Sequence, residues 1–195
     1  MHNYHYIIAS LPDLVADFSL KEFSYDKFST MIKENLSERD RRIVAWFEYG
    51  LTPTNLSHHF YREIGKLKCK FLSDYFAFDR NLRNLQVEFL ASADQEKVDK
   101  YRVGETDKSI KELPEIRSIL ENKNIIEREA QMDKLKWDKI NEMIQGHYFD
   151  MDVILAFLAK GVILRRWSSL ESERGAVLFE QFVSEVRGTF KGIDF

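Results

Sequence analysis

Several groupings in this chain have the residue types for chemistry. His58 and His59 with Glu63 suggest a metal site. Adjacent residues on a helix, however, point about 100° apart, and the spacing is not H-E-x-x-H; a surface or corner role is the favoured reading. Cys69 is a lone thiol with no histidine within one helical turn to act as its base, so it reads as a small buried hydrophobe. His147 beside Asp150 and Asp152 has the types to hold a proton or a metal, but both acids stand at an expected helix start, where capping accounts for them. Lys66, Lys68 and Lys70 with Arg80 and Arg83 form the densest basic group. The alternating lysines scatter around a helix, which favours a solvated surface or a protein-partner patch over nucleic acid. Arg165-Arg166-Trp167 carries the types enriched at interaction hot spots. At a helix end the cations would also suit the dipole; packing at the core edge and a protein interface both remain open. Gly-rich phosphate loops and the G-x-S-x-G elbow are missing. The expectation is no catalytic, metal or cofactor site, with Arg80, Arg83, Arg165, Arg166 and Trp167 as candidate interface residues.

Composition indicates what must position these groups. A chain of 195 residues with 44% hydrophobic content can build a proper core, in one or two domains. With only eight Gly and three Pro, long helices are favoured over many short strands. Fifteen Phe should fill inter-helix seams. A net charge of −3 argues against broad attraction to nucleic acid or anionic lipid. A single cysteine excludes an intrachain disulfide and fits a reducing, cytoplasmic setting. No apolar run approaches the ~20 residues of a membrane span. The opening residues lack the basic-then-apolar pattern of a secretory leader, so any membrane contact is expected through partners.

Helical spacing of apolar residues recurs around a short signature used twice: Tyr75-Phe76-Ala77-Phe78-Asp79 and Tyr148-Phe149-Asp150-Met151-Asp152. Ile64, Leu67 and Phe71 before the first copy fall in register on Trp137, Ile140 and Ile144 before the second. Each copy is expected to be helix, tight corner, helix. Asp79 or Asp152 would cap the second helix, and the aromatic pairs Tyr75-Phe76 and Tyr148-Phe149 would wedge the corner. Phe23-Ser24-Tyr25-Asp26 reads equally as an eroded third copy or as a chance echo of the F-x-x-D core. The fold class is thus all-α, built of repeated helical hairpins: an N-terminal helical part over 1–92, a polar linker or loop over 93–113, and a C-terminal helical part over 114–195. Tyr4 to Leu11, stopped by Pro12, is expected to be a short extended segment. Ser37 should open a helix ended by Gly50 and Pro53, and another should run from about Asn55 to Ser73. Ser168-Ser169-Leu170-Glu171 has capping-box spacing, and should open a last helix burying Leu178, Phe179, Phe182, Val183 and Val186.

The hairpins carrying Y-F-x-x-D-x-x-L, Tyr75 to Leu82 and Tyr148 to Leu155, resemble the V/A-type ATPase C-subunit family, whose eukaryotic member is the d-subunit. Tyr4-His5-Tyr6-Ile7-Ile8-Ala9-Ser10-Leu11-Pro12-Asp13-Leu14, with Lys21-Glu22-Phe23 and Leu36-Ser37-Glu38-Arg39-Asp40, is similar to a bacterial family of unknown function associated with V-type ATPases, here read as a divergent form of the C-subunit. The resemblance implies helical modules around a concave face and a mechanical, non-enzymatic role. The chain would then be a central-stalk socket that takes the rotor axle and sits on the proteolipid ring, cytoplasmic and peripheral to the inner membrane. Its partners would be the other proteins of the ATPase, with no nucleic acid and no cofactor. A helical adaptor unconnected with ATPases is the alternative. The usual members of the C-subunit family are longer and have three modules.

Overall fold

Polar caps ahead of apolar runs set where most helices start. The computed structural model describes the backbone of residues 4–17, 23–91 and 95–190, and side chains at 4–17, 23–91 and 98–170. Among the described residues the helices are α1 (Tyr4–Ala9), α2 (Tyr25–Asn35), α3 (Glu38–Gly50), α4 (His58–Lys66), α5 (Lys70–Leu90), α6 (Gln95–Tyr101), α7 (Leu113–Glu121), α8 (Ile125–Met143) and α9 (Met151–Phe190), with a 3-10 turn at Pro53–Asn55. No strand occurs among them, and the fold is all-α. Ser24, Ser37, Ser57 and Asn124 accept backbone N–H bonds at the starts of α2, α3, α4 and α8, satisfying donors the helix itself cannot.

Three expectations are corrected. Tyr4 to Ala9 is the helix α1, not an extended segment. Pro12 restricts only Leu11, already beyond the last helical residue, while burial of Ile7 and a 2.9 Å bond from the Tyr4 hydroxyl to Asp40 Oδ2 dock the turn. Second, the chain does not turn at Tyr75–Asp79: these residues lie mid-way along the unbroken α5. The bend falls earlier, where Lys68 takes a left-handed φ of 53° between α4 and α5. It folds α4 back, so that Phe60 meets Phe76 edge-on at 4.9 Å; on one straight helix these sixteen positions would span about 24 Å. Third, Ser168–Glu171 does not open a new helix. α9 continues to Phe190, and the Ser169 hydroxyl donates back to Arg166 O at 2.8 Å. Leu178, Phe179, Phe182, Val183 and Val186 lie outside the residues whose side chains are described, as do Lys21 and Glu22.

The F-x-x-D signatures explain themselves by the residue after Phe. In Phe23-Ser24-Tyr25-Asp26, Ser24 caps α2. In Phe149-Asp150-Met151-Asp152, Asp150 Oδ1 accepts the N–H groups of Asp152 and Val153 at 3.1 and 3.2 Å. Asp26 and Asp152 are then both second residues of a helix, facing the positive end of its dipole. In Phe76-Ala77-Phe78-Asp79 the corresponding residue is Ala77, which has no acceptor and the highest helix propensity, so the helix runs through. Tyr75 is consequently 8% exposed and Tyr148 73% exposed: the two copies are not equivalent.

Around α9 the frame is assembled. Ile154, Leu155, Leu158 and Ala159 are at most marginally exposed, and the helix packs on α1, α2, α3, α5 and α8. Two close approaches depend on glycine. A Cβ at Gly50 would sit 2.4 Å from Phe76 and 2.5 Å from Phe60, and one at Gly161 would sit 3.0 Å from Tyr25. The core has two lobes. α5 gives Phe71, Leu72, Tyr75 and Phe76 to the larger one. Its later residues Phe78, Leu82 and Leu85 join α7 and α8 in the smaller.

Candidate functional site

A layer of buried charge lies where α5, α8 and α9 meet. Asp79 is 5% exposed and takes Arg83 Nε at 2.6 Å, one helical turn along α5, and Lys136 Nζ at 2.9 Å from α8. Burial alone would raise its carboxyl; the charges and hydrogen bonds of Lys136 and Arg83 outweigh it and hold Asp79 below its ordinary value. Asp133 of α8, 4% exposed, accepts Arg166 Nη2 at 2.6 Å and Trp167 Nε1 at 2.8 Å from α9. There desolvation outweighs the Arg166 charge, and the carboxyl is pushed up. Arg166 also reaches Glu129 at 3.3 Å. A small cavity of about 170 Å³ lies among Tyr75, Asp79, Arg83, Asp133, Lys136 and Arg166.

Most of the expected interface residues therefore have partners within the chain while staying partly exposed. Arg83, Arg166 and Trp167 are consumed in this layer. Arg165 lies over the Tyr25 ring at 4.3 Å and 3.6 Å from Asp26, tying α9 to α2. These residues sit within α9, not at its end, so the helix-dipole argument for them lapses. Arg80 stacks its guanidinium on Tyr61 at 4.9 Å.

Arg80 also lines a larger cleft of about 450 Å³ between α5, residues 107–112 and α8. The segment that closes it is held by two asparagines that sequence reasoning missed. Asn81 exchanges both amide bonds with the Asp107 backbone at 2.7 and 2.9 Å, and Asn84 does the same with Val103 at 3.0 and 3.1 Å. Each side-chain amide mimics a peptide unit, so part of the stretch expected to be a polar linker or loop is stitched onto α5. The signal was present in the sequence: Asn81 and Asn84 sit among the apolar residues Phe78, Leu82 and Leu85 at helical spacing, where a polar group must find partners. Asp79 and Asp133 carried the same signal.

The remaining candidates come together elsewhere. Cys69 Sγ lies 3.9 Å from Asp152 Oδ1, and His147 Nδ1 lies 2.5 Å from Asp150 Oδ2 and 3.9 Å from Asp152 Oδ2. Burial pushes the Cys69 thiol up to about 11, so the thiolate is disfavoured. The Asp150 hydrogen bond and charge raise His147. His59 bonds Arg62 at 2.9 Å on an exposed face, and among the described residues no group of three His, Cys, Asp or Glu side chains is placed to hold a metal ion. Lys66 pairs with Glu63 at 2.8 Å, and Lys70 pairs with Asp74. At the start of α9, Phe149 stacks on His5 of α1 at 4.2 Å, with Tyr6 and Tyr148 exposed beside it.

Residues 94–189 match the model of a family described as a protein of unknown function, DUF2764. No curated protein and no solved structure matches the chain. No helix of the described residues is long and apolar enough to cross a membrane.

Proposed function

We propose that this chain is a non-enzymatic, cytoplasmic stalk component of a V/A-type rotary ATPase, binding the other proteins of that machine at the membrane periphery and coupling the axle to the proteolipid ring. The duplicated hairpin does not support this reading, because its first copy is a straight helix. The support is the likeness carried by residues 4–14 and 36–40, together with one spatial observation. Two stretches singled out in the sequence meet at an aromatic corner, the stack of His5 on Phe149, whose chain neighbours Tyr6 and Tyr148 are both exposed. Tyr6 is 60% exposed and Phe149 51%; clustered aromatic rings in water are what protein partners cover. A frame braced by internal ion pairs also suits a part that transmits force.

Affinity capture of a tagged copy from gently solubilised membranes tests this. Rotary ATPase components should be recovered with the native chain and lost with Tyr148→Ser/Phe149→Ser. Recovery of none of them with the native chain overturns the assignment and leaves the helical adaptor.

A further inference from the structure

We propose that the cleft between α5, residues 107–112 and α8 binds a small organic monocarboxylate, with Arg80 as its anchor. The inference is independent of the rotary-ATPase reading.

The charges lining the cleft are matched by ion pairs with two exceptions, Arg80 and Asp107. Lys70 pairs with Asp74. Lys139 pairs with Glu112 and Glu142 at 2.8 and 3.2 Å, and Lys111 takes Glu142 at 2.8 Å. Arg80 has no ion-pair or hydrogen-bond partner among the described residues. Its Nε is buried without an acceptor, while its guanidinium plane is fixed against Tyr61 and beside Gly104. Arg80 lines the cleft, and its terminal N–H groups, which unlike Nε are not buried, are the ones a ligand oxygen there can reach. The planar fork suits a carboxylate, which it can hold bidentately.

Two features narrow the class. Asp107, also lining the cleft, has only the neutral donors of Ser109 on its Oδ1 and keeps its negative charge, its carboxyl held low by those bonds. A second negative charge on the ligand would meet that carboxylate, so phosphate and dicarboxylates are disfavoured. Ala77, Phe78, Ile110 and Met143 add apolar surface between the paired charges of the lining, on which a short hydrocarbon body can lie. The volume lies within the range of small-ligand sites.

Octanoate is the probe, with octanol and octylamine as comparisons, measured by calorimetric titration and by amide shifts on 77–81 and 107–112. Saturable binding of octanoate is expected, at least about tenfold tighter than octanol, a difference of about 1.4 kcal/mol. Arg80→Met, which keeps a stem against Tyr61, should weaken octanoate tenfold or more while leaving octanol unchanged. Ala77→Trp should block the cleft with Arg80 intact; helical circular dichroism checks that both variants fold. Octanoate that fails to saturate, binds Arg80→Met equally, or binds more weakly than octylamine overturns the proposal. None of these readouts involves the aromatic corner, so this inference and the ATPase assignment fail separately.

Discussion

Replacing Asp79 by Asn should cost far more stability than replacing Asp133 by Asn, although both carboxylates are buried to the same degree. Asp79 neutralises two cations, and Lys136 is only 23% exposed and Arg83 38%. Without the carboxylate, two partly desolvated cations face each other across α5 and α8. Breaking a buried pair from one side typically costs 3–5 kcal/mol; partial exposure of the cations places Asp79→Asn at the lower end, about 3 kcal/mol. Asp133 differs because its burial outweighs its partner's charge. Asn at that position keeps an acceptor for Trp167 Nε1 and releases Arg166, 43% exposed, to water. A change within about 1 kcal/mol is expected. Urea unfolding measures both. With a slope near 2 kcal/mol/M, the Asp79→Asn midpoint should fall by about 1.5 M and that of Asp133→Asn by less than about 0.5 M. The pH dependence carries opposite signs. Asp79, held low, contributes stability above the ordinary carboxylate value near 3.9 that is lost as pH falls through its folded value. Asp133, held high, makes stability decline as pH rises from about 3.9 through its folded value. Each Asn variant should remove its own limb. Equal losses in the two variants, or a larger loss at Asp133, would refute the reasoning.

Gly50→Ala places a methyl 2.4–2.6 Å from the Phe60 and Phe76 rings and should destabilise by about 1–3 kcal/mol in the same assay. The Cys69 thiol, raised to about 11 by burial, should resist iodoacetamide at pH 8 in the native protein and react at once in urea. His147, raised by Asp150, contributes stability below its ordinary value of 6.5 that is lost as pH rises through its folded value. Melting temperature should therefore drop across that window in the native chain and stay flat in His147→Gln.

Elements whose cues are local were legible. Ser37 and Gly50 stand beside the apolar run they bound, and α3 starts and stops where those residues direct. The repeated signature misled because one face of a helix and the start of a helix share the same apolar spacing. What separates them is a single acceptor, present at Ser24 and Asp150 and absent at Ala77. The candidate site was harder to read. Arg83 has its acid one turn away and was accessible by i, i+4 reasoning. Lys136 and Arg166 find theirs across helices, 57 and 33 residues distant. The property that makes Arg and Trp common at interfaces, a planar donor that survives desolvation, serves equally to join helices within one chain.

Because those cations also hold ion pairs within the chain, fold and docking are separated more cleanly at the aromatic corner. Tyr148 is 73% exposed, so Tyr148→Ser should shift unfolding free energy by less than about 0.5 kcal/mol. Phe149→Ser loses the 4.2 Å stack on His5, and a cost of about 1 kcal/mol follows from the usual worth of an aromatic pair. Arg166→Ala, by contrast, strips a buried acid of its ion partner and cannot distinguish a lost partner from a lost fold. A docking role for the corner requires that Tyr148→Ser abolish capture of ATPase components while its melting curve overlays the native one. Capture undiminished by Tyr148→Ser would place recognition elsewhere on the chain, whatever the arginine variants show.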